Sequence, residues 1–136
     1  MGVAPRFAFA SKAETLERLA PRLKTARVLP LVHFPVADWR RSPGAVLKRI
    51  AAQPWATQPM IVRSSADGED SDSVSLAGHF LSIAHVGADA LADAIERVIA
   101  SYGDGHGGHR VLIQPMVERP AASGVAFTVD PNTGSP

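Results

Sequence analysis

The stretch "DALADAIERVIASYG", residues 89–103, constrains the chain most. Leu91, Ile95, Val98, Ile99 and Tyr102 recur at helical spacing and make one apolar stripe on an otherwise charged and small-residue helix. A stripe of that width has to be buried against another layer. The segments around it supply one: "MIVRS" and "HFLSIAHV" before it and "RVLIQPMV" after it are short apolar runs of strand length. A further strand is expected at "SGVAFTVD", joined through a turn at "ERPAA". Strands and helices mixed in this order predict an α+β fold, with helices packed on a mixed, largely antiparallel sheet. Asp89 is positioned to cap this helix and Gly103 to end it, and Asp93 and Arg97 are spaced for a pair on the wet face.

The amino-terminal third predicts two more helices. "SKAETLERLAPRL" opens with a capping box, Ser11 and Glu14, and places Leu16, Leu19 and Leu23 on one face until Pro21 kinks or ends the helix. "SPGAVLKRI" offers Ser42 as cap and Pro43 as first helical residue, burying Val46, Leu47 and Ile50. Between them "ARVLPLVHFPV" reads as an edge or irregular strand because of its prolines. "AQPWATQP" reads as a linker, which divides the chain into an amino-terminal segment, residues 1–59, and a second segment, residues 60–136. "DPNTG" is a turn signal that should lead into a partner strand, yet only two residues follow, so the sequence reads as cut inside a domain.

Charge narrows the function. Fourteen basic and thirteen acidic side chains leave a net charge of +1, which favours neither nucleic acid nor an anionic membrane. No apolar run approaches a membrane span, and with no cysteine and no signal-like leader a cytoplasmic location is the expectation. Binding must then come from a local site. Arg63 ends an apolar strand, so its stem can pack while the guanidinium emerges at the strand's carboxyl end, a placement suited to an anion. Ser64 and Ser65 add compact donors, and Gly68 and Gly78 would let backbone approach a ligand. The competing reading pairs Arg63 with Glu69, Asp70 or Asp72 and only orders the loop.

Lys12 lies in the first turn of its helix, where a cation opposes the helix dipole; an anion there would meet both the lysine and free N–H groups. Gln114 interrupts an apolar strand, and its amide must be satisfied by backbone or by a ligand such as adenine. Met116 beside it would contact a base or fill core. The acidic run from Asp67 fails as a calcium loop, because its sixth and twelfth positions hold Asp72 and Gly78. His106 and His109 lack partners for a zinc site. Walker, G-x-G-x-x-G and G-x-S-x-G patterns are absent.

Taken in order, "KAETLERL", "VRSSADGED" with "SLAGHFLS", the striped helix and "VLIQPMVERPAASGVAFTVDPNTG" resemble the amino-terminal ATP-grasp-like domain of the pyruvate phosphate dikinase and phosphoenolpyruvate synthase family, over residues 12–134. The resemblance implies a partial ATP-grasp-like domain with the nucleotide between two subdomains. It implies Arg63, as the catalytic cation, and Lys12 on the phosphates. Gly78 and Ser82 fall in a phosphate-covering loop, where His79 stands for the usual glutamine and Ser82 for a threonine. Gln114, Met116 and the backbone of Val117 line the adenine pocket. Glu69 and Asp70 would hold the loop. The implied cofactors are ATP and Mg²⁺, the latter with ligands in a downstream part. The implied activity is phosphorylation of a histidine on a separate domain, then of pyruvate or another acceptor, with the phosphohistidine and acceptor-binding domains absent from this chain. The alternative is a truncated or degenerate nucleotide-binding module without catalysis.

Overall fold

The structure, a computed structural model, describes residues 7–67, 80–104, 108–126, 128–130 and 132–135. Among these residues four α-helices, α1 (Lys12–Leu19), α2 (Val36–Arg41), α3 (Pro43–Ala51) and α4 (Leu91–Ala100), pack with four strands, β1 (Val32–Pro35), β2 (Met60–Ser65), β3 (Ser82–Val86) and β4 (Arg110–Pro115). The strands form one sheet in the order β1-β4-β2-β3, and every neighbouring pair is antiparallel. The α+β expectation holds. β1, flanked by Pro30 and containing Pro35, takes an edge as its prolines require.

Pairing sorts the sheet into two faces, because directly opposed residues share one. Val32, Phe34, Val111, Ile113, Met60, Val62, Ile83 and Val86 fall on the first face. They meet Trp39 of α2, Val46 and Ile50 of α3, and the stripe Leu91, Ile95, Val98, Ile99 and Tyr102, which is buried as its spacing demands. His33, Arg110, Leu112, Ser65, Arg63, Gln114, Ile61 and Ser82 fall on the second face. Here α1 lies over one end, with the Ala13 N–H bonded to Ser65 Oγ at 2.9 Å and Glu17 against His33. The other helices thus leave the second face to α1 and to a mostly polar set of side chains, with Leu112 and Ile61 among them.

Local signals explain the element ends. Ser11 accepts from the Glu14 N–H while the Glu14 carboxylate accepts from the Ser11 N–H and hydroxyl, completing the capping box. α1 stops at Leu19 and tightens into a 3₁₀ turn, Ala20–Arg22, at Pro21. Gly103 ends α4 with φ of 68°, a conformation that suits glycine.

Several expectations fail. Asp89 does not cap α4: a 3₁₀ turn, Ala88–Ala90, precedes it, and no side chain caps its start. Ser42 makes no side-chain cap to α3 either, although Pro43 does open that helix. Asp93 and Arg97 form no ion pair. α2, six residues directly after β1, has no periodic signature in the sequence; it forms because Val36 and Trp39 find the core. "SGVAFTVD" forms no strand among its described residues, and Val125 and Val129 are exposed, because no described strand pairs with that segment. The "DPNTG" turn does form: Asp130 Oδ1 accepts from the N–H groups of Asn132 and Thr133, of which Asn132 most strongly lowers its pKa. No described helix is long and apolar enough to cross a membrane.

Candidate functional site on the second face of the sheet

Arg63 sits on the second face of β2, opposite Leu112 of β4 on one side and Ser82 of β3 on the other. It is half-buried, and Nη1 donates to Gln114 Oε1 at 3.3 Å. No carboxylate pairs with Arg63 among the described residues; Glu69, Asp70 and Asp72, the partners of the competing reading, lie outside them, as do Gly78 and His79. Ser82, facing Arg63 across the ladder, is exposed.

Gln114 is only 4% exposed. Since a guanidinium can only donate, the Arg63 contact turns the amide oxygen toward β2 and the NH₂ group away from it. That NH₂ meets no acceptor among the described residues. Met116, just past β4, is half-buried, and its N–H is spent on the Pro59 carbonyl at 2.9 Å. Val117 is 51% exposed.

Lys12 opens α1, half-buried, at the end of the helix that lies over Ser65. Two of the N–H groups expected to meet an anion here are already engaged: the Ala13 N–H by Ser65 Oγ and the Glu14 N–H by Ser11 Oγ. The two serines after Arg63 are not anion donors either. Ser64 is buried on the first face, and Ser65, 0% exposed, turns its hydroxyl to α1. Ser65 was legible as a polar group but not as a structural one, because its partner is fifty-two positions away.

Next to this cluster lies a second polar chain that sequence reasoning misses. Arg110 Nε donates to His33 Nδ1 at 2.9 Å, which leaves the imidazole proton on Nε2, facing Glu17 Oε2 at 3.1 Å. Arg49 reaches over the edge strand to the His33 carbonyl at 2.6 Å, and these groups border a cavity of about 370 Å³. Glu14 is held below the usual carboxylate range, first by the Ser11 hydroxyl and then by the Ser11 N–H and the charges of Arg110 and Arg18, against a desolvation that acts the other way. His109 forms no metal cluster; its ring lies 4.5 Å from that of Tyr102, and no group of three or more metal-ligating side chains converges among the described residues.

The second face therefore offers a half-buried guanidinium, an amide whose NH₂ has no acceptor among the described residues and a hydroxyl on three adjacent strands, an arrangement suited to a ligand with an anionic end and an acceptor-bearing end. The profile of one family, described as "Pyruvate phosphate dikinase, AMP/ATP-binding domain", matches residues 38–105, half of the chain. The chain belongs to that family. No curated protein and no solved structure gives a significant match. The span matched to the pyruvate phosphate dikinase AMP/ATP-binding domain contains Arg63 and Ser82, whereas Lys12, Gln114, Met116 and Val117 lie outside it.

Proposed function

We propose that the second face of the sheet binds ATP, with the phosphates at Arg63, Ser82 and Lys12 and the adenine against Gln114, Met116 and the backbone of Val117. The chain is then the nucleotide-binding part of a phosphoenolpyruvate synthase-like phosphotransferase, an ATP-grasp-like unit that serves phosphorylation of a histidine carrier and then of pyruvate or another acceptor. The observation that carries this reading is the pairing of Arg63 with a neutral amide at 3.3 Å. A half-buried cation whose nearest described acceptor is long and uncharged gains when a phosphate replaces it, since charge-assisted bonds are roughly twice as strong as neutral ones. The NH₂ of Gln114, which has no acceptor among the described residues, fits the ring nitrogens of adenine, and family membership supports the same ligand.

When bound, Mg²⁺ would supply charge neutralisation for phosphoryl transfer. The described residues offer no converging acidic set for it, so we assign the cation to the nucleotide and name no protein ligand. What this chain's own residues do is bind and orient. Arg63 and Lys12 neutralise phosphate charge, Ser82 donates to a phosphate oxygen, and Gln114 fixes the base. Because the described groups are all of this kind, with no nucleophile beside a base, a nucleotide-binding module without turnover is the second reading.

Isothermal titration of the chain with ATP, with and without Mg²⁺, tests the proposal beside Arg63→Ala. Saturable binding that weakens at least tenfold in the variant supports it. Binding indifferent to Arg63→Ala, or none by the folded chain, overturns it. Release of ADP or AMP on incubation separates the enzyme from the binding module.

A further inference from the structure

Ser65 follows the nucleotide-facing Arg63 by two residues on the same face of β2, yet it is sealed from solvent. Its two polar groups point to different elements. The hydroxyl oxygen accepts from the Ala13 N–H at 2.9 Å, in the first turn of α1 and next to Lys12. The backbone N–H donates to the Tyr102 hydroxyl at 2.8 Å, and Tyr102 in turn donates to the Arg110 carbonyl at 2.5 Å at the start of β4. The Tyr102 ring is itself held, with Phe80 edge-on at 5.0 Å and His109 tilted at 4.5 Å. A fixed phenol therefore fixes the end of β2, and the end of β2 fixes the start of α1.

We propose that Ser65 is a positioning residue that sets Lys12 against Arg63, so that both cations meet one polyphosphate; this rests on the nucleotide reading above. The physical reason lies in helix ends. The first N–H groups of a helix have no partner within it, and a short helix of eight residues frays unless they are met. Ser11 meets the Glu14 N–H from within the helix, whereas Ser65 meets the Ala13 N–H from the strand that carries Arg63. The first contact shapes α1; the second locks it in place. An alanine at residue 65 would leave that N–H buried without an acceptor, and α1 would shift or fray where Lys12 begins it. Threonine keeps the oxygen. A serine that served only the fold would lower stability without coupling to the lysine, and that difference is measurable.

The experiment is a double-mutant cycle on ATP affinity by titration calorimetry, with wild type, Ser65→Ala, Lys12→Ala and the double variant, together with amide hydrogen exchange. Ser65→Ala is expected to weaken ATP about tenfold, Ser65→Thr to restore most of it, and the effect of Ser65→Ala to shrink to about twofold or less once Lys12 is alanine. Exchange at Ala13 should speed about tenfold or more in Ser65→Ala while Val98 and Ile113 keep their protection. If Ser65→Ala does not fold, Tyr102→Phe enters the same cycle, since it removes one hydroxyl and releases the same strand end. Additive losses in the cycle, or unchanged exchange at Ala13, overturn the inference. Binding lost in Arg63→Ala but indifferent to Ser65→Ala overturns it alone, leaving the nucleotide reading intact. A folded wild-type chain that binds no ATP overturns that reading and this inference with it.

Discussion

Arg63 and Gln114, fifty-one positions apart in the chain, meet at 3.3 Å across β2 and β4. The contact orients an amide that would otherwise be free to flip, and it couples the two halves of the candidate site. On the proposed reading, phosphate drawn to Arg63 would loosen its hold on Gln114, and a base held by Gln114 would leave Arg63 to the phosphates.

Gln114→Leu separates these halves. It removes the amide donor while keeping volume and burial, so ATP should bind about tenfold more weakly, the cost of one lost polar contact in a dry site. Tripolyphosphate, which has no base, should bind as well as before or better, since Arg63 loses a competitor. Parallel titrations with the two ligands check this. Equal losses for both would mean that Gln114 supports Arg63 and does not read adenine.

His85 offers a test of backbone strain. The register between β2 and β3 shifts so that Ile61 faces both Ala84 and His85, and His85 takes up the extra residue with φ of 56°. Left-handed backbone costs a residue with a Cβ about 1–2 kcal/mol, and a β-branched residue pays more. The side chain is exposed, so little packing is at stake. His85→Val should lower stability by about 1–2 kcal/mol. His85→Gly should leave it unchanged or raise it by about 0.5 kcal/mol, the relief being partly offset by the freer unfolded chain. Urea unfolding of the two variants decides; a glycine less stable than the valine would show that the bulge is not strained.

The capping box of α1 should be pH-dependent. The folded-state pKa of Glu14 lies below its ordinary value, chiefly because of the Ser11 hydroxyl. A depressed carboxylate contributes stability that is present above the unfolded pKa and is lost as pH falls through the folded one. Ser11→Ala should therefore cost about 1 kcal/mol near neutral pH and less below the ordinary glutamate range. Urea midpoints of wild type and variant at about pH 7 and about pH 3 make the comparison. A gap that widens in acid would contradict the assignment.

What was legible in the sequence was local. The Ser11–Glu14 box, the stop at Pro21, Gly103 and the stripe from Leu91 to Tyr102 each depend on neighbours a few positions away, and each forms. Arg63 at a strand end and Gln114 within a strand were legible as candidates for the same reason. Their contact was not, since β4 inserts between β1 and β2 and no periodicity reports strand order. Ser65 was misread because serine after an anion-binding arginine looks like a donor until α1 is seen to lie over it. "SGVAFTVD" was misread because β-propensity is a statement about partners, and none of the described strands pairs with it. α2 was missed because six residues give barely more than one turn of pattern; Trp39 holds it by tertiary contact.

That contact carries the last prediction. The Trp39 indole N–H donates to Glu96 Oε1 at 2.7 Å, and Arg40 Nη1 reaches both oxygens of the same carboxylate at 3.1 and 2.9 Å. The two donors are not equivalent. Trp39 is 2% exposed and stacks on Phe34, with ring centres 6.2 Å apart, whereas Arg40 is an exposed side chain. A surface ion pair contributes about 0–1 kcal/mol, while a buried donor left without an acceptor costs about 1–3 kcal/mol. Arg40→Ala should then be nearly silent. Glu96→Ala should destabilise by about 2 kcal/mol, and Glu96→Gln, which keeps an acceptor for the indole, should fall between them. The loss should spread to β1, because α2 begins where β1 ends and the Val36 N–H is bonded to the His109 carbonyl at 3.1 Å. Urea unfolding gives the ranking and amide exchange at Phe34 gives the spread; an Arg40→Ala cost equal to that of Glu96→Ala would place the anchor in the ion pair instead of the indole.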